Sequence, residues 1–223
     1  MLKPQPHNRR CSSGFTMIEV MMATAILVIG ISAMAALGAI MLTRGRQSRY
    51  MNVAATLASE KLEDLNRYQM SAPQICIQTG DTSEGMLTGV VPTPGSDTKT
   101  ITCPSGASAS TSYYDLVSID FLSSADCANP SYGCFSETVY NGPTSQYIPT
   151  YHSPDGTIGQ GTPTTSIPSN TTFLRTWLIE ANPPVGSSGQ NTVTGTRRIT
   201  VLVTNLDGSI QPPVSFQMSL VRQ

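Results

Sequence analysis

GFTMIEVMMATAILVIGISAMAALGAIML, residues 14–42, is the stretch from which the architecture of this chain follows. Its last twenty-three residues, Val20 to Leu42, carry no charged side chain. As a helix rising about 1.5 Å per residue they would cover about 35 Å, roughly the hydrocarbon thickness of a bilayer. Three roles compete for such a run. A helix apolar on every side and buried in a core needs a larger protein around it. A removable secretory signal has an apolar region of about 7–15 residues with a small-residue cleavage site behind it. Here the run is longer, and Ala33 to Ala36 lies in its middle. A retained membrane anchor is the reading that remains.

Working outward, the first twelve residues, MLKPQPHNRRCS, hold Lys3, Arg9 and Arg10 and no acid, which suits a cytoplasmic flank. Arg44, Arg46 and Arg49 on the far side nearly balance that count, so charge alone does not orient the span. The four cysteines of the polar tail do, because paired cysteines persist in an oxidising compartment. Over the whole chain only 12% of residues are charged, against about 25% in an average soluble domain. Eighteen Gly, sixteen Pro and abundant Ser and Thr take their place and favour loops. A net charge of −1 provides no field for non-specific nucleic-acid binding, so no specific nucleic acid is expected as a partner.

Glu19 is out of place at the start of an apolar run. Burying a lone carboxylate in hydrocarbon costs a few kcal/mol, which makes such an acid a functional hypothesis. The structural alternative is an interfacial Glu near a helix N-terminus, favoured by the helix dipole by about 0.3–1 kcal/mol. The string Gly14-Phe15-Thr16-Met17-Ile18-Glu19-Val20 resembles the processing site of type IV prepilins and type II secretion pseudopilins. It has a short basic leader ending in Gly14, Phe15 next, an acid five residues after Gly14, and an unbroken apolar helix behind. The resemblance implies cleavage between Gly14 and Phe15 by prepilin peptidase, N-methylation of Phe15, and retention of the apolar helix. It also implies a role for Glu19. When subunits stack, the amine created on a Phe15 neutralises that carboxylate, in the same chain or in its neighbour, and an unpaired charge penalises wrong registers.

The helix need not stop at the membrane. Met51, Ala54, Ala58, Leu62 and Leu65 recur at spacings of three and four, with Glu60, Lys61, Glu63, Asp64 and Arg67 mostly off that stripe. No proline intervenes before Pro73, so one helix is expected from about Phe15 to about Tyr68. Gly30 and Gly38 interrupt it, and Ser32/Ala36 and Ala35/Ala39 are small pairs that allow close helix approach. Many major pilins carry a proline partway along this helix; this chain has none between Pro6 and Pro73.

Residues 71 to about 106 read as loops with short strands at most. Tyr114 to Leu122 reads as a strand. Asn141 to Thr172 holds 4 Gly, 5 Pro and 12 Ser or Thr in 32 residues and reads as a long surface excursion unable to fold by itself. Phe173 to Glu180, Thr196 to Asn205 and Val214 to Arg222 read as three strands, with Ile199, Val201 and Val203 on one face of the second and Val214, Phe216, Met218 and Leu220 on one face of the third. Asp207-Gly208 is a turn signal between the last two. An α+β fold follows, in which an antiparallel sheet is covered by the stripe from Met51 to Leu65. The pilin resemblance implies the same architecture. Residues 1–14 would be the leader, 15–43 the membrane and filament-core helix, 44–70 its amphipathic half, and 71–223 an extracytoplasmic head. The segment AATLASEKLEDL, the R-T-W strand and the T-R-R-I-T-V-L-V hairpin look most like the PilV class of minor pilins.

Cys11 would leave with the leader, so Cys76, Cys103, Cys127 and Cys134 remain. Four cysteines allow three connectivities. Cys76 with Cys103 and Cys127 with Cys134 is the favoured set, because the second pair encloses Asn129-Pro130 and Gly133, a natural turn. No C-x-x-C occurs, and His152 is the only histidine beyond the leader, so neither a zinc site nor a catalytic triad can be assembled. No cofactor, no metal and no enzymatic activity are expected. Asp115 and Asp120 read as strand-end solvation rather than an acid/base pair. Arg175, Arg197 and Arg198 read as a solvated sheet face or a partner contact rather than an anion site. Asn170-Thr171-Thr172 fits a glycosylation sequon.

The resemblance implies a minor subunit of a type IV pilus. It would sit in the inner membrane with a periplasmic head before reaching the cell surface. Its partners would be other pilin subunits, prepilin peptidase, the membrane and the assembly machinery. A type II secretion pseudopilin would carry the same motif. A monomeric anchored adhesin or DNA-binding module acting through residues 141–172, and a secreted enzyme with an unusual signal peptide, are the readings of other classes.

Overall fold

The computed structural model describes residues 14–94, 98–119, 135–152, 158–182, 184–185, 191–192, 195–208, 210 and 212–223. A single helix, α1, runs over Met17–Arg67, within two residues of the expected span at each end. The chain divides into two units, one ending at Gly45 and the other Arg46–Gln223.

In the first unit the helix buries almost nothing. The large apolar side chains from Phe15 to Leu42 are 51–84% exposed. Gly30 and Gly38 look onto open space, so packing within this chain does not require either glycine.

In the second unit the amphipathic stripe behaves as its periodicity dictates. Ala54, Ala58, Leu62 and Leu65 are buried, Leu57 joins them, and Met51 packs at the margin. They cover a sheet built from β1 (Ser83–Gly85), β4 (Tyr114–Ile119), β5 (Phe135–Asn141), β6 (Gln146–His152), β7 (Ile158–Gln160), β8 (Phe173–Ala181), β11 (Arg197–Asn205) and β12 (Ser215–Arg222). The order across it is β12-β11-β8-β4-β5-β6-β7, with β1 also pairing β8, and every pairing is antiparallel. Two small hairpins stand apart: β2 (Thr98–Thr102) with β3 (Ser108–Ser112), and β9 (Pro184–Val185) with β10 (Asn191–Thr192).

Alternation along the central strands sorts their side chains between two faces. Phe173, Trp177, Ile179, Ile199, Val201 and Val203 join the cluster under the helix. Tyr114, Leu116, Tyr140, Tyr147 and Leu174 form a second cluster on the opposite face, with Val91 and Leu206 packed against it. Phe216, Met218 and Leu220 of β12 pack half-buried at the edge of the first cluster. Gly85, at a positive φ of 87°, is required where it stands, because a Cβ there would collide with the Trp177 carbonyl oxygen and the Tyr113 ring.

Two arginines hold the end of the helix and the segment that follows it. Arg222 Nη1 donates to the carbonyls of Asn66 (2.9 Å) and Tyr68 (2.8 Å), and Arg197 Nη1 donates to those of Met70 and Ile75. A disulfide joins Cys76 to Cys103 and so ties the segment after the helix to the first hairpin. The expected pairing of Cys127 with Cys134 lies outside the described residues.

One expectation is corrected. The 141–172 segment is not wholly a loop: β6 and β7 lie within it, Tyr147 is fully buried, and Tyr147 stacks edge-on against Tyr140 with ring centroids 5.1 Å apart. Its composition is too poor to fold alone, but β6 has only to add to β5. The hydroxyl-rich strand β3 gave no apolar alternation to read and holds its place through pairing with β2.

Candidate functional site

The first candidate site is the start of α1. Gly14, Phe15 and Thr16 precede the helix in non-helical backbone. The Thr16 carbonyl accepts from the amides of Glu19 (3.1 Å) and Val20 (3.3 Å), which makes Thr16 the N-cap and puts Glu19 in the first turn. The order Thr16-Met17-Ile18-Glu19 is a capping-box pattern that the sequence reading passed over. Glu19 therefore occupies a position that the helix dipole itself favours. Phe15 is 82% exposed. A Cβ on Gly14 would meet nothing, so no packing among the described residues demands glycine there.

The second candidate is a charge cluster inside the head. Register places Asp115 of β4 directly across from Arg175 of β8, and Glu137 of β5 across from Val117, two residues further along β4. All three point toward the helix, where Lys61 comes down between them. Arg175 grips Asp115 with Nε–Oδ1 at 2.7 Å and Nη2–Oδ2 at 3.0 Å, and also contacts Glu137 at 2.7 Å. Lys61 Nζ lies 2.7 Å from Asp115 and 2.8 Å from Glu137, and 4.4 Å from the centre of the Trp177 ring. Arg175 also donates to the Leu57 carbonyl.

Asp115 is fully buried and Arg175 is 1% exposed. The expectation of strand-end solvation for Asp115 and of a solvated face for Arg175 is thus overturned. Both side chains occupy the apolar parity of their strands, and each is tolerated there because the other neutralises it. Asp120 lies outside the described residues. Arg198 does pair at the surface, bidentate with Glu180 at 2.8 and 2.9 Å. His152 is on β6 rather than in a loop, 3.9 Å from Glu137.

Burial pushes the Asp115 carboxyl up despite the pull of Arg175 and Lys61. Burial acts on Glu137 in the same sense, but Lys61 and Arg175 overcome it and hold that carboxyl well below the usual range. Two cations and two carboxylates make up the buried cluster, with the part-exposed Glu60 4.0 Å from Arg175 at its rim, and each buried acid is committed to a structural partner. That arrangement suits fixing the helix on the sheet and does not supply a poised general base. A cavity of about 600 Å³ beside it is lined by Lys61, Asp64, Gln74, Glu137 and Trp177, among others. Among the described residues no group of three His, Cys, Asp or Glu side chains could hold a metal ion.

Comparison with known proteins bears on the first site. The chain matches the family described as the prokaryotic N-terminal methylation motif over residues 9–35. No curated protein and no solved structure matches it. The matched stretch spans Gly14, Phe15, Glu19 and the first part of the apolar helix, and it supports a pilin-like or pseudopilin precursor associated with the membrane and processed by prepilin peptidase.

Proposed function

We propose that the chain is a prepilin that becomes a minor subunit of a type IV pilus, of the PilV kind. The observation that carries the reading is the methylation motif joined to a helix whose apolar first half is exposed on all sides. Exposed apolar surface of that extent needs cover, first from lipid and then from the same helices of neighbouring subunits. Residues 1–14 leave as the leader; Phe15 becomes the methylated N-terminus. The 15–43 segment serves as anchor and filament core, while 44–70 holds the 71–223 head on the outer side of the inner membrane. Gly14 answers to the peptidase, since nothing in the fold requires it. Glu19 answers to the new amine of a Phe15, its own or a neighbour's. Gly30 and Gly38 present flat surface to adjoining helices. The head contributes no chemistry.

A type II secretion pseudopilin is the second reading, favoured by the same motif. Mechanical shearing of host cells separates the two. A pilus subunit is recovered with sheared surface filaments, and its amount there tracks the major pilin. Retention in the envelope in a strain making abundant pili contradicts the pilus assignment.

A further inference from the structure

Just past the apolar run lies a recess that filament packing does not explain. Arg46, Arg49 and Tyr50 stand three and four residues apart, on one face of α1, and line a cavity of about 550 Å³ with Ile119, residues 169–172 and Asp207. The facing run, Ser169-Asn170-Thr171-Thr172, is entirely polar and small. Its backbone is held in place: the Thr171 hydroxyl donates to the Pro168 carbonyl at 2.7 Å, the Thr172 amide to Val117 at 2.9 Å, and the Leu206 amide to the Thr172 carbonyl at 2.9 Å. Tyr50 is fixed against Phe173, with centroids 5.9 Å apart. Two guanidinium groups, a phenol and hydroxyl and amide groups meet a single carboxylate there. That is the chemistry of an anion site, with Arg able to engage phosphate oxygens in bidentate fashion.

Position in the chain says which anion. Arg46 and Arg49 follow Leu42, the last residue of the apolar run, by four and seven residues, so they fall at the level of the headgroups of a spanning helix. Arginines on the non-cytoplasmic side also run against the usual distribution of charge around a span. We propose that this recess binds the phosphodiester of an anionic phospholipid headgroup, holding the head against the outer leaflet before the subunit leaves the membrane. The inference rests on the membrane-anchored reading above.

The test uses the full chain reconstituted into nanodiscs of phosphatidylcholine with or without phosphatidylglycerol, with retained lipid counted by native mass spectrometry. Arg46→Gln and Arg49→Gln each lower the bound phosphatidylglycerol by about fivefold. Arg44→Gln, which removes an arginine outside the recess, does not. An excess of inorganic phosphate leaves the retained lipid in place. Equal losses in all three variants indicate a general surface charge effect and overturn the site. Displacement by inorganic phosphate overturns the assignment to lipid in favour of a free-anion site. A wild-type chain that enters nanodiscs yet retains no phosphatidylglycerol overturns the recess alone, whereas a chain that never enters them overturns the anchored reading together with it.

Discussion

Glu19→Gln is expected to leave the chain processed and its helix intact, yet to lower its content in sheared filaments at least tenfold. The substitution separates the two roles that converge on this residue. A Gln in the first turn keeps the Thr-x-x-Glu/Gln spacing and leaves the backbone bonds to the Thr16 carbonyl untouched, so helix initiation at Thr16 is preserved. What is lost is the negative charge. If that charge pairs with an N-terminal amine among packed apolar helices, its removal leaves the amine unpaired, at a cost of several kcal/mol per misassembled contact. Each 1.4 kcal/mol is a factor of ten in an equilibrium. Immunoblots of filament and membrane fractions, normalised to the major pilin, give the answer. Incorporation within about twofold of the wild type would reduce Glu19 to a helix cap, whose worth is about 1 kcal/mol.

The second large effect lies in the head. Asp115→Ala leaves Arg175, 1% exposed, without the carboxylate that grips it through two hydrogen bonds. Breaking a buried pair from one side costs about 3–5 kcal/mol, a large share of the roughly 5–15 kcal/mol by which domains are stable. For a domain of this size the melting temperature falls by about 6–20 °C. The double variant Asp115→Ala/Arg175→Met removes both charges, leaves Lys61 with Glu137, and recovers most of the loss. Circular dichroism melts of the full chain in detergent measure both. An Asp115→Ala melt matching the wild type would mean that the cluster does not hold the helix on the sheet.

How much of this was legible in the sequence depends on which signal each part rested on. The spacing of Ala54, Ala58, Leu62 and Leu65 and the alternation of Ile199, Val201 and Val203 are direct projections of the helical and strand repeats, and each set is buried. Arg175 was misread because charge was taken as a sign of solvent. Parity says otherwise: in Phe173-Leu174-Arg175-Thr176-Trp177 the arginine shares its face with Phe173 and Trp177. Asp115 likewise shares parity with Tyr113 and Val117. An arginine and an aspartate, each on the apolar face of its own strand, were the available hint of a buried pair. The strand β6 was missed for a different reason, since its composition describes what it could do alone and says nothing of the partner strand β5 that it joins. At the N-terminus the Thr16-to-Glu19 spacing was readable but was overshadowed by the processing motif that overlaps it.

The claim on which the rest depends is that the apolar helix is kept and given a new, charged end. Intact-mass and N-terminal peptide measurement of the protein purified from its host tests this directly. The account predicts a chain that begins at Phe15, carries one added methyl group on its amine and retains Val20 to Leu42. A chain that still begins at Met1, or one that starts beyond Leu42, contradicts it.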